Sequence, residues 1–520
     1  MPTLSPFAEH ASVHAGPTVR QMADPGGSLG TIRSGWAGKP GSPAGDSSVV
    51  GNRGEAGGWS RRGWLGRMMA AGAGLGWLGG CVRASSRRTR LRVASFAADV
   101  TVPIGHGMMG GAWLSKSVAD PLEARGLILA GIGDPVVFVS VDWCEIRNEA
   151  YRRWQDVLAA AAGTSPERVM ISTIHQHDAP VADLDAERLL RERGLAGTVC
   201  DPEFHEAAVQ RVGSAIREAL PDLRPATHWG MGRARVEGVA SNRRYVMPDG
   251  QVRFDRMSAT RNVFAIEADD GVIDPWLRTL SFWDGDRALA AVSFYAVHPM
   301  SYYGQGEVSA DFPGLARRRR AEEVPGVPQV YVSGCSGNVT AGKYNTGARG
   351  NRGVLAERLR LAMAEAWRST VRAPVGAGDF RVAPLVFEPR SSRGFTEEDL
   401  MSKLTASAKP FDQCLAAMGL SWRRRVVSGS RLEVPYLDLG GAGILLLPGE
   451  TYVDYQLWAQ ALKPGVFLCV AGYGDGATGY VPTERHWAEQ DTNLSDWCWV
   501  APGSEARLQA AIRQALTGAG

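Results

Sequence analysis

The sequence predicts an α/β protein: one large domain over residues 91–520, in which mixed β-sheets are flanked by helices. Two observations predict this class. Short apolar, β-branched runs alternate with segments of helical spacing throughout this region, and neither a sequence repeat nor an internal linker interrupts them. A chain of 520 residues, 44% of them hydrophobic, is also long enough to bury a large core.

Eight apolar runs predict strands. In chain order they are 92–102, 127–132, 136–141, 169–174, 279–282, 289–296, 329–332 and 444–447. The first ends at Pro103, and a Gly-rich segment at 105–111 predicts a flexible loop after it. Gly133-Asp134-Pro135 joins the second run to the third, which predicts a hairpin.

Four segments with apolar residues at helical spacing predict helices. They are 148–162, 183–220, 354–367 and 505–516. In the first of these, Tyr151, Trp154 and Leu158 share one face. Ser504 is placed to cap the last helix.

The charge distribution divides the chain near residue 90. Residues 1–90 contain 11 basic and 4 acidic residues, whereas the remainder contains 46 basic and 50 acidic residues. The predicted domain is therefore slightly acidic, and nothing in its charge indicates a nucleic-acid partner. The seven cysteines form no Cys-x-x-Cys pair, which excludes the common structural zinc patterns.

The first 90 residues predict export. Residues 1–58, rich in Gly, Ser, Pro and Ala, are expected to be disordered or to result from a start codon placed too far upstream. Residues 59–90 resemble a twin-arginine export signal, with Arg61 and Arg62 before a weakly apolar stretch. Leu78-Gly-Gly-Cys81 resembles a lipobox, so Cys81 would anchor an exported protein to a membrane surface. Chance matches in an Arg/Gly/Ala-rich segment are the alternative.

His175 and His177 are the most informative residues of the predicted domain. They stand at i and i+2 where the apolar run 169–174 ends, and Pro180 follows. In a strand both rings would leave the same face, as metal binding or proton transfer requires. Two ordinary histidines near a strand edge would give the same pattern.

Five other places carry residues suited to chemistry, each with a plainer alternative. His298 closes an apolar strand as a ligand or as a core residue. The Gly-rich loop at 332–342, which contains Thr340, fits an oxyanion cradle or a turn. Glu450 follows a buried strand as a metal ligand or as the acid before a helix. Tyr480 fits a packed aromatic, and Arg243 fits a substrate anchor or a surface turn.

Seven motifs in one order resemble the catalytic N-terminal domain of the neutral (non-lysosomal) ceramidase family. They are Asp99-Val-Thr-Val-Pro103 with Met109-Gly110, His175-Gln-His177-Asp-Ala-Pro180, Asn242-Arg243, Ala296-Val-His298-Pro-Met-Ser301, Gly337-Asn338-Val339-Thr340, Leu447-Pro-Gly-Glu450, and Gly479-Tyr480-Val481-Pro-Thr483-Glu484. No single motif is specific, and it is their shared order across residues 91–490 that carries the resemblance.

The resemblance implies one Zn²⁺ per chain, held by His175, His298, Glu450 and Tyr480. It implies cleavage of the amide bond of ceramide-like or other N-acylated small molecules, by a metal-activated water. His177 would move protons and Arg243 would orient the substrate. Thr340 stands where the family has Ser, so its hydroxyl would either attack the substrate in place of water or only bind it. No protein partner is implied.

The chain departs from the family pattern at several points. Thr340 replaces Ser, Asp178-Ala179 replaces Ser-Gly, and Thr492 stands near the place of a family Tyr. The family's C-terminal immunoglobulin-like domain is not expected, because the sequence ends about 40 residues after Tyr480. These departures leave ceramide itself open as the substrate. A metal-dependent esterase using the same site and a non-catalytic envelope binding protein are the alternatives.

Overall fold

A computed structural model describes residues 91–518 of the chain. The predictions for residues 1–58, for residues 59–90 and for Cys81 lie outside the described residues. Among residues 91–518, no helix combines the length and the apolar character that a membrane crossing requires.

Three mixed sheets, each ending in a parallel pair of strands, form the framework. In spatial order, the first contains Arg224–Pro225, Arg92–Asp99, Glu123–Ala130, Val136–Val141 and Val169–Thr173; the second contains Gln329–Ser333, Arg287–Tyr295, Trp276–Asp284, His228–Arg235 and Val371–Pro374; the third contains Asp379–Leu385, Leu432–Asp438, Ala442–Leu446 and Phe467–Ala471. The predicted class, mixed sheets flanked by helices, is confirmed.

Each sheet is built by the same succession of elements. Three consecutive antiparallel strands are followed by a helix, a fourth strand parallel to the third, and a second helix that packs against the first strand. We call these units repeat 1 (91–225), repeat 2 (228–374) and repeat 3 (379–518). The sequence predicted no repeat, and this prediction is wrong at the level of topology, because the order of strands and helices recurs three times.

Eleven helices lie in the described residues. They are Asn148–Ala162, Leu184–Arg191, Pro202–Ala219, Val263–Glu267, Asp311–Glu323, Gly350–Arg368, Glu397–Ala406, Pro410–Val427, Val453–Leu462, Glu484–Ala488 and Ser504–Thr517. The predicted hairpin and the helix at 148–162 are confirmed, while the predicted segment 183–220 contains two helices. Ser504 is wrong as a cap, because it lies inside the last helix and its buried hydroxyl has no hydrogen-bond partner among the described residues.

The fourth strands of the three repeats are joined at their carboxyl ends. The Ser333 hydroxyl donates to the Ile174 carbonyl at 2.7 Å, and the Gly472 amide donates to the Ser333 carbonyl at 2.9 Å. The Ser172 hydroxyl donates to the Gly472 carbonyl at 2.9 Å. An apolar cluster with residues from all three sheets fills the space beside these joints. The loops that leave the three parallel pairs therefore meet at one place.

Short two-stranded ladders continue the pairing into those loops. They are Glu145–Ile146 with Val181–Ala182, Glu450–Thr451 with Tyr480–Val481, Ser241–Asn242 with Val339–Thr340, Gly107–Met108 with Trp113–Leu114, Ser117–Val118 with Glu307–Val308, and Tyr245–Val246 with Val252–Arg253. The first two and a parallel bridge between His298 and Thr340 occupy equivalent places in repeats 1, 3 and 2. Segment 105–111, expected as a flexible loop, contains one of these short strands and is mostly buried.

Candidate metal centre

Three side chains, one from each repeat, direct their ligand atoms to a common point. His175 Nε2 lies 3.2 Å from Glu450 Oε2, and His298 Nε2 lies 3.3 Å from the same oxygen. All three residues are buried, and none of the three atoms has a hydrogen-bond partner among the described residues despite these short separations. The three ligand atoms therefore face a shared point rather than forming hydrogen bonds with one another.

The spacing of these atoms fits a single metal ion. Two ligand atoms about 2 Å from a tetrahedral ion are about 3.3 Å apart, as the nitrogen–oxygen pairs are here. Two imidazoles and one carboxylate are also the ligand set of many hydrolytic zinc sites, which keep a further position open. Orphaned buried polar atoms are costly without a partner, so the residues present fit a bound ion.

The opposite side of each imidazole fixes its tautomer. His175 Nδ1 lies 3.0 Å from the Cys144 carbonyl oxygen, and His298 Nδ1 lies 2.8 Å from the Ser336 carbonyl oxygen. A carbonyl only accepts, so each Nδ1 carries the proton and each Nε2 keeps a lone pair for a metal. Burial, together with the neighbouring His175, lowers the pKa of His298 to about 3, so this ring is neutral.

Glu450 is held as a carboxylate. Burial alone would raise its pKa, but positive charge shared with His175 and His298 outweighs this effect and brings the pKa below its usual range; a metal cation would supply that charge with both rings neutral. The carboxylate follows the strand Ala442–Leu446 and lies in a ladder directly opposite Tyr480. An anionic ligand at this place would offset part of the charge of a divalent cation.

A second group, Cys144, His175 and His177, also has ligand atoms within reach of one another. Cys144 Sγ lies 3.9 Å from His175 Nδ1, but that nitrogen already faces the Cys144 carbonyl. Burial raises the pKa of the Cys144 thiol well above its usual value, which disfavours the thiolate that metals bind. We therefore take His175, His298 and Glu450 as the candidate metal centre, called the metal centre from this point.

His175 and His177 are brought together, but not by strand alternation as the sequence predicted. The strand ends at Thr173, and His175 has a left-handed backbone with φ 61°. Non-glycine residues in this region are strained, and such strain is concentrated at functional sites. The rings of His175 and His177 lie 5.1 Å apart, edge to face.

His177 lies between the metal centre and a partly exposed aromatic side chain. Its ring stacks on that of His298 at 5.4 Å, and the ring of Tyr303 lies 5.1 Å away. Its Nδ1 has no hydrogen-bond partner among the described residues. Burial, then the two neighbouring imidazoles His175 and His298, lower the pKa of His177 well below its usual value, so its ring is neutral.

Arg243 and Tyr480 form a buried pair beside Glu450. Arg243 Nη1 donates to the Tyr480 hydroxyl at 2.7 Å, and Arg243 Nε has no hydrogen-bond partner among the described residues. Burial raises the pKa of the Tyr480 phenol, and the Arg243 guanidinium only partly counters this effect. The role of Tyr480 as a metal ligand stays a prediction.

The Thr340 hydroxyl faces backbone groups. It donates to the Met257 carbonyl at 2.7 Å and accepts from the Gly342 amide at 3.1 Å. A catalytic role for Thr340 stays a prediction, but these two bonds indicate that the side chain ties the loop after the strand Gln329–Ser333 to Met257 within repeat 2.

Replacing Thr340 by Val tests which role is larger. The valine keeps the shape and leaves the Met257 carbonyl and the Gly342 amide without their buried partner, so we expect a loss of about 1–3 kcal/mol of unfolding free energy. Urea unfolding measures it, and Thr340→Ser, which keeps both bonds, is the control. A stable Thr340→Val variant that has lost its activity would instead indicate a chemical role.

Sequence reasoning missed three residues of the site. Tyr473 stacks on His175, with ring centroids 4.2 Å apart. Glu145 occupies in repeat 1 the ladder position of Glu450, but Arg147 Nη1 lies 2.7 Å from its carboxylate and neutralises it. Tyr303 covers His177. The position of Tyr473, two residues after a strand as in His175, is the one signal the sequence offered.

Asp178, a departure from the family pattern, lies beside this site. Its Oδ1 accepts from the Gly304 amide at 3.0 Å, and Arg352 Nη2 lies 3.5 Å from its Oδ2. Burial raises the pKa of Asp178 to about 7, and the Gly304 bond and Arg352 only partly counter this. Asp178 therefore fixes the Tyr303–Gly304 backbone over His177.

Two solved structures share this architecture. Neutral ceramidase from Pseudomonas aeruginosa matches with a TM-score of 0.61 and 19% identity, over 82% of this chain and 74% of that chain. A ceramidase complexed with C2 matches with a TM-score of 0.59 and 18% identity, over 82% and 75% of the two chains. No protein-family model and no curated protein matches the sequence. The resemblance to neutral ceramidases, drawn from the order of seven motifs, is thus confirmed in the fold, and the chain has a neutral ceramidase-like fold.

Proposed function

We propose that the protein is a zinc-dependent amidohydrolase that cleaves the amide bond of N-acylated, ceramide-like substrates. The observation that carries the proposal is the convergence of His175 Nε2, His298 Nε2 and Glu450 Oε2 at 3.2 and 3.3 Å, buried and otherwise without partners. The likeness in fold to two ceramidases supports the same reaction class.

Each residue would have a distinct task. Zinc in this centre would lower the pKa of water and polarise the carbonyl of the bound amide. His177, neutral and 5.1 Å from His175, would accept a proton during attack and deliver it to the departing amine. Arg243, held by Tyr480, would direct its remaining N–H donors to substrate oxygen. Export, suggested by Arg61 and Arg62, belongs to the same proposal.

The test combines metal analysis with a substrate panel. We expect about one zinc per chain by mass spectrometry, and hydrolysis of N-acyl sphingoid or N-acyl amino acid substrates that stops on chelation and returns with zinc. Both reactions pass through a tetrahedral intermediate, so simple esters belong in the panel; hydrolysis of esters without hydrolysis of any N-acyl substrate would favour the esterase alternative. Failure to bind metal after reconstitution would contradict the proposal and support the binding-protein alternative.

Tyr303 is expected to control the fit of the acyl chain. Its ring is partly exposed, lies 5.9 Å from that of Trp113 and 5.1 Å from that of His177, and thus separates the centre from solvent. In Tyr303→Ala, KM for long acyl chains should rise about tenfold, with a smaller change for acetyl substrates, since apolar contact area is lost. A chain-length series measures this, with Tyr303→Phe as control; an equal change for all lengths would contradict it.

A further inference from the structure

Tyr473 is the residue at which the three repeats meet. It belongs to repeat 3, where its amide donates to the carbonyl of Gly449, the residue before Glu450, at 3.1 Å. Its carbonyl accepts from the Thr173 amide of repeat 1 at 2.9 Å, and its ring stacks on His175 at 4.2 Å with an interplanar angle of 14°. Its backbone is left-handed, with φ 53°. Its ring also lies 5.8 Å from that of His298 in repeat 2, so Tyr473 adjoins every residue of the metal centre.

The Tyr473 hydroxyl belongs to a directed chain of hydrogen bonds in repeat 2. Ser336 Oγ donates to the Gly334 carbonyl at 3.2 Å, so it accepts from the Tyr473 hydroxyl, which lies 2.8 Å away. The phenol proton is thus committed to Ser336. The phenol oxygen, 3.1 Å from His298 Nδ1, is then left as a second acceptor for the imidazole N–H, beside the Ser336 carbonyl at 2.8 Å.

The geometry points to Tyr473 as a positioning residue of the metal centre: its phenol, together with the Ser336 carbonyl, holds the proton of His298 on Nδ1, and its ring sets the plane of His175. The chain of bonds works in one direction because it ends on a backbone carbonyl, which cannot donate. Both effects keep an imidazole lone pair aimed at the shared point, which is how outer hydrogen bonds raise metal affinity. This inference rests on the proposed metal site.

Zinc affinity of the full chain, measured by competition with a chromophoric chelator, tests the inference. Tyr473→Phe removes the phenol oxygen and keeps the ring, and we expect zinc to bind about tenfold more weakly or worse, the range found when an outer partner of a ligand is lost. Tyr455→Phe is the matched control, because Tyr455 is a buried tyrosine of the same repeat whose hydroxyl donates to the Pro482 carbonyl instead. Its zinc affinity should stay within twofold of wild type.

A double-mutant cycle and a spectrum separate positioning from simple packing. Ser336→Ala should weaken zinc binding, and Tyr473→Phe with Ser336→Ala should be no weaker than Tyr473→Phe alone, because both act through one chain of bonds. The visible absorption of the cobalt-substituted protein should shift in Tyr473→Phe and not in Tyr455→Phe. Unchanged zinc affinity in Tyr473→Phe, with wild type binding normally, would overturn the inference; absence of zinc binding in wild type would instead overturn the proposed function.

Discussion

His298→Ala is expected to lose zinc and to lose activity by about 10³-fold or more. His298 Nε2 is one of three converging ligand atoms, and its removal leaves only His175 and Glu450 from that set. A Lewis-acidic ion supplies several kcal/mol of transition-state stabilisation, and each 1.36 kcal/mol corresponds to about tenfold in rate. Zinc content after gel filtration and kcat/KM on an N-acyl substrate are the two measurements.

The control for His298→Ala is the same substitution at a histidine outside the metal centre. His228 opens a strand of repeat 2 and its Nδ1 lies 2.9 Å from the Thr227 hydroxyl, so His228→Ala makes the same chemical change at a place without ligands. It should retain zinc and rate. A His298→Ala variant that is folded, with the zinc content and rate of wild type, would exclude His298 from the metal centre and with it the assignment built on convergence.

The sequence predicts this centre because its ligands follow apolar strands. The runs at 169–174, 289–296 and 444–447 are recognisable as buried strands, and His175, His298 and Glu450 stand just after them. Their convergence depends on which strands are parallel neighbours, and no local pattern in the chain encodes that. The shared order of the motifs, through the resemblance it carries, predicted that these residues converge; local spacing could not.

The threefold structural repeat is also not visible in the sequence, because no local residue pattern encodes it. The three units share a succession of elements but not a residue pattern: repeat 3 carries two helices, Glu397–Ala406 and Pro410–Val427, between its first two strands, whereas repeat 1 has short strands and loops there. Burial selects apolar residues at strand positions without requiring identical ones, so repeats can be lost from sequence while the sheets persist.

The direction of side chains is a second property that the sequence does not predict. The Thr340 hydroxyl bonds to Met257 and Gly342, and the left-handed backbone of His175 is set by contacts with residues far away in the chain. Single positions in the left-handed region are adopted because the surrounding structure imposes them, and the modest preference of His for this region does not locate them. Sequence can therefore nominate a residue for a site but not the direction in which its polar atom points.

His177→Ala is expected to retain zinc and to lose rate by about 10²–10⁴-fold, the loss typical of a general acid–base. His177 belongs to the group with Cys144 that we rejected as the metal centre, so zinc content is the first discriminator. Loss of zinc in His177→Ala would mean that His177 is a ligand after all, and that the His175 ring uses its other nitrogen. Retained zinc with an unchanged rate would remove the proton-transfer role.

Comparing substrates with different leaving groups makes the test of His177 more specific. If His177 delivers a proton to the departing amine, then an ester with an acidic phenol as leaving group needs His177 only to accept a proton during attack, and His177→Ala should slow its hydrolysis less than that of an amide. Free imidazole should restore part of the amide rate, because the deletion leaves a space of that shape beside Tyr303 and His298. Equal losses on both substrates without rescue would indicate that His177 does not deliver the proton to the departing amine, since neither a binding contact nor a proton accepted during attack distinguishes the two leaving groups.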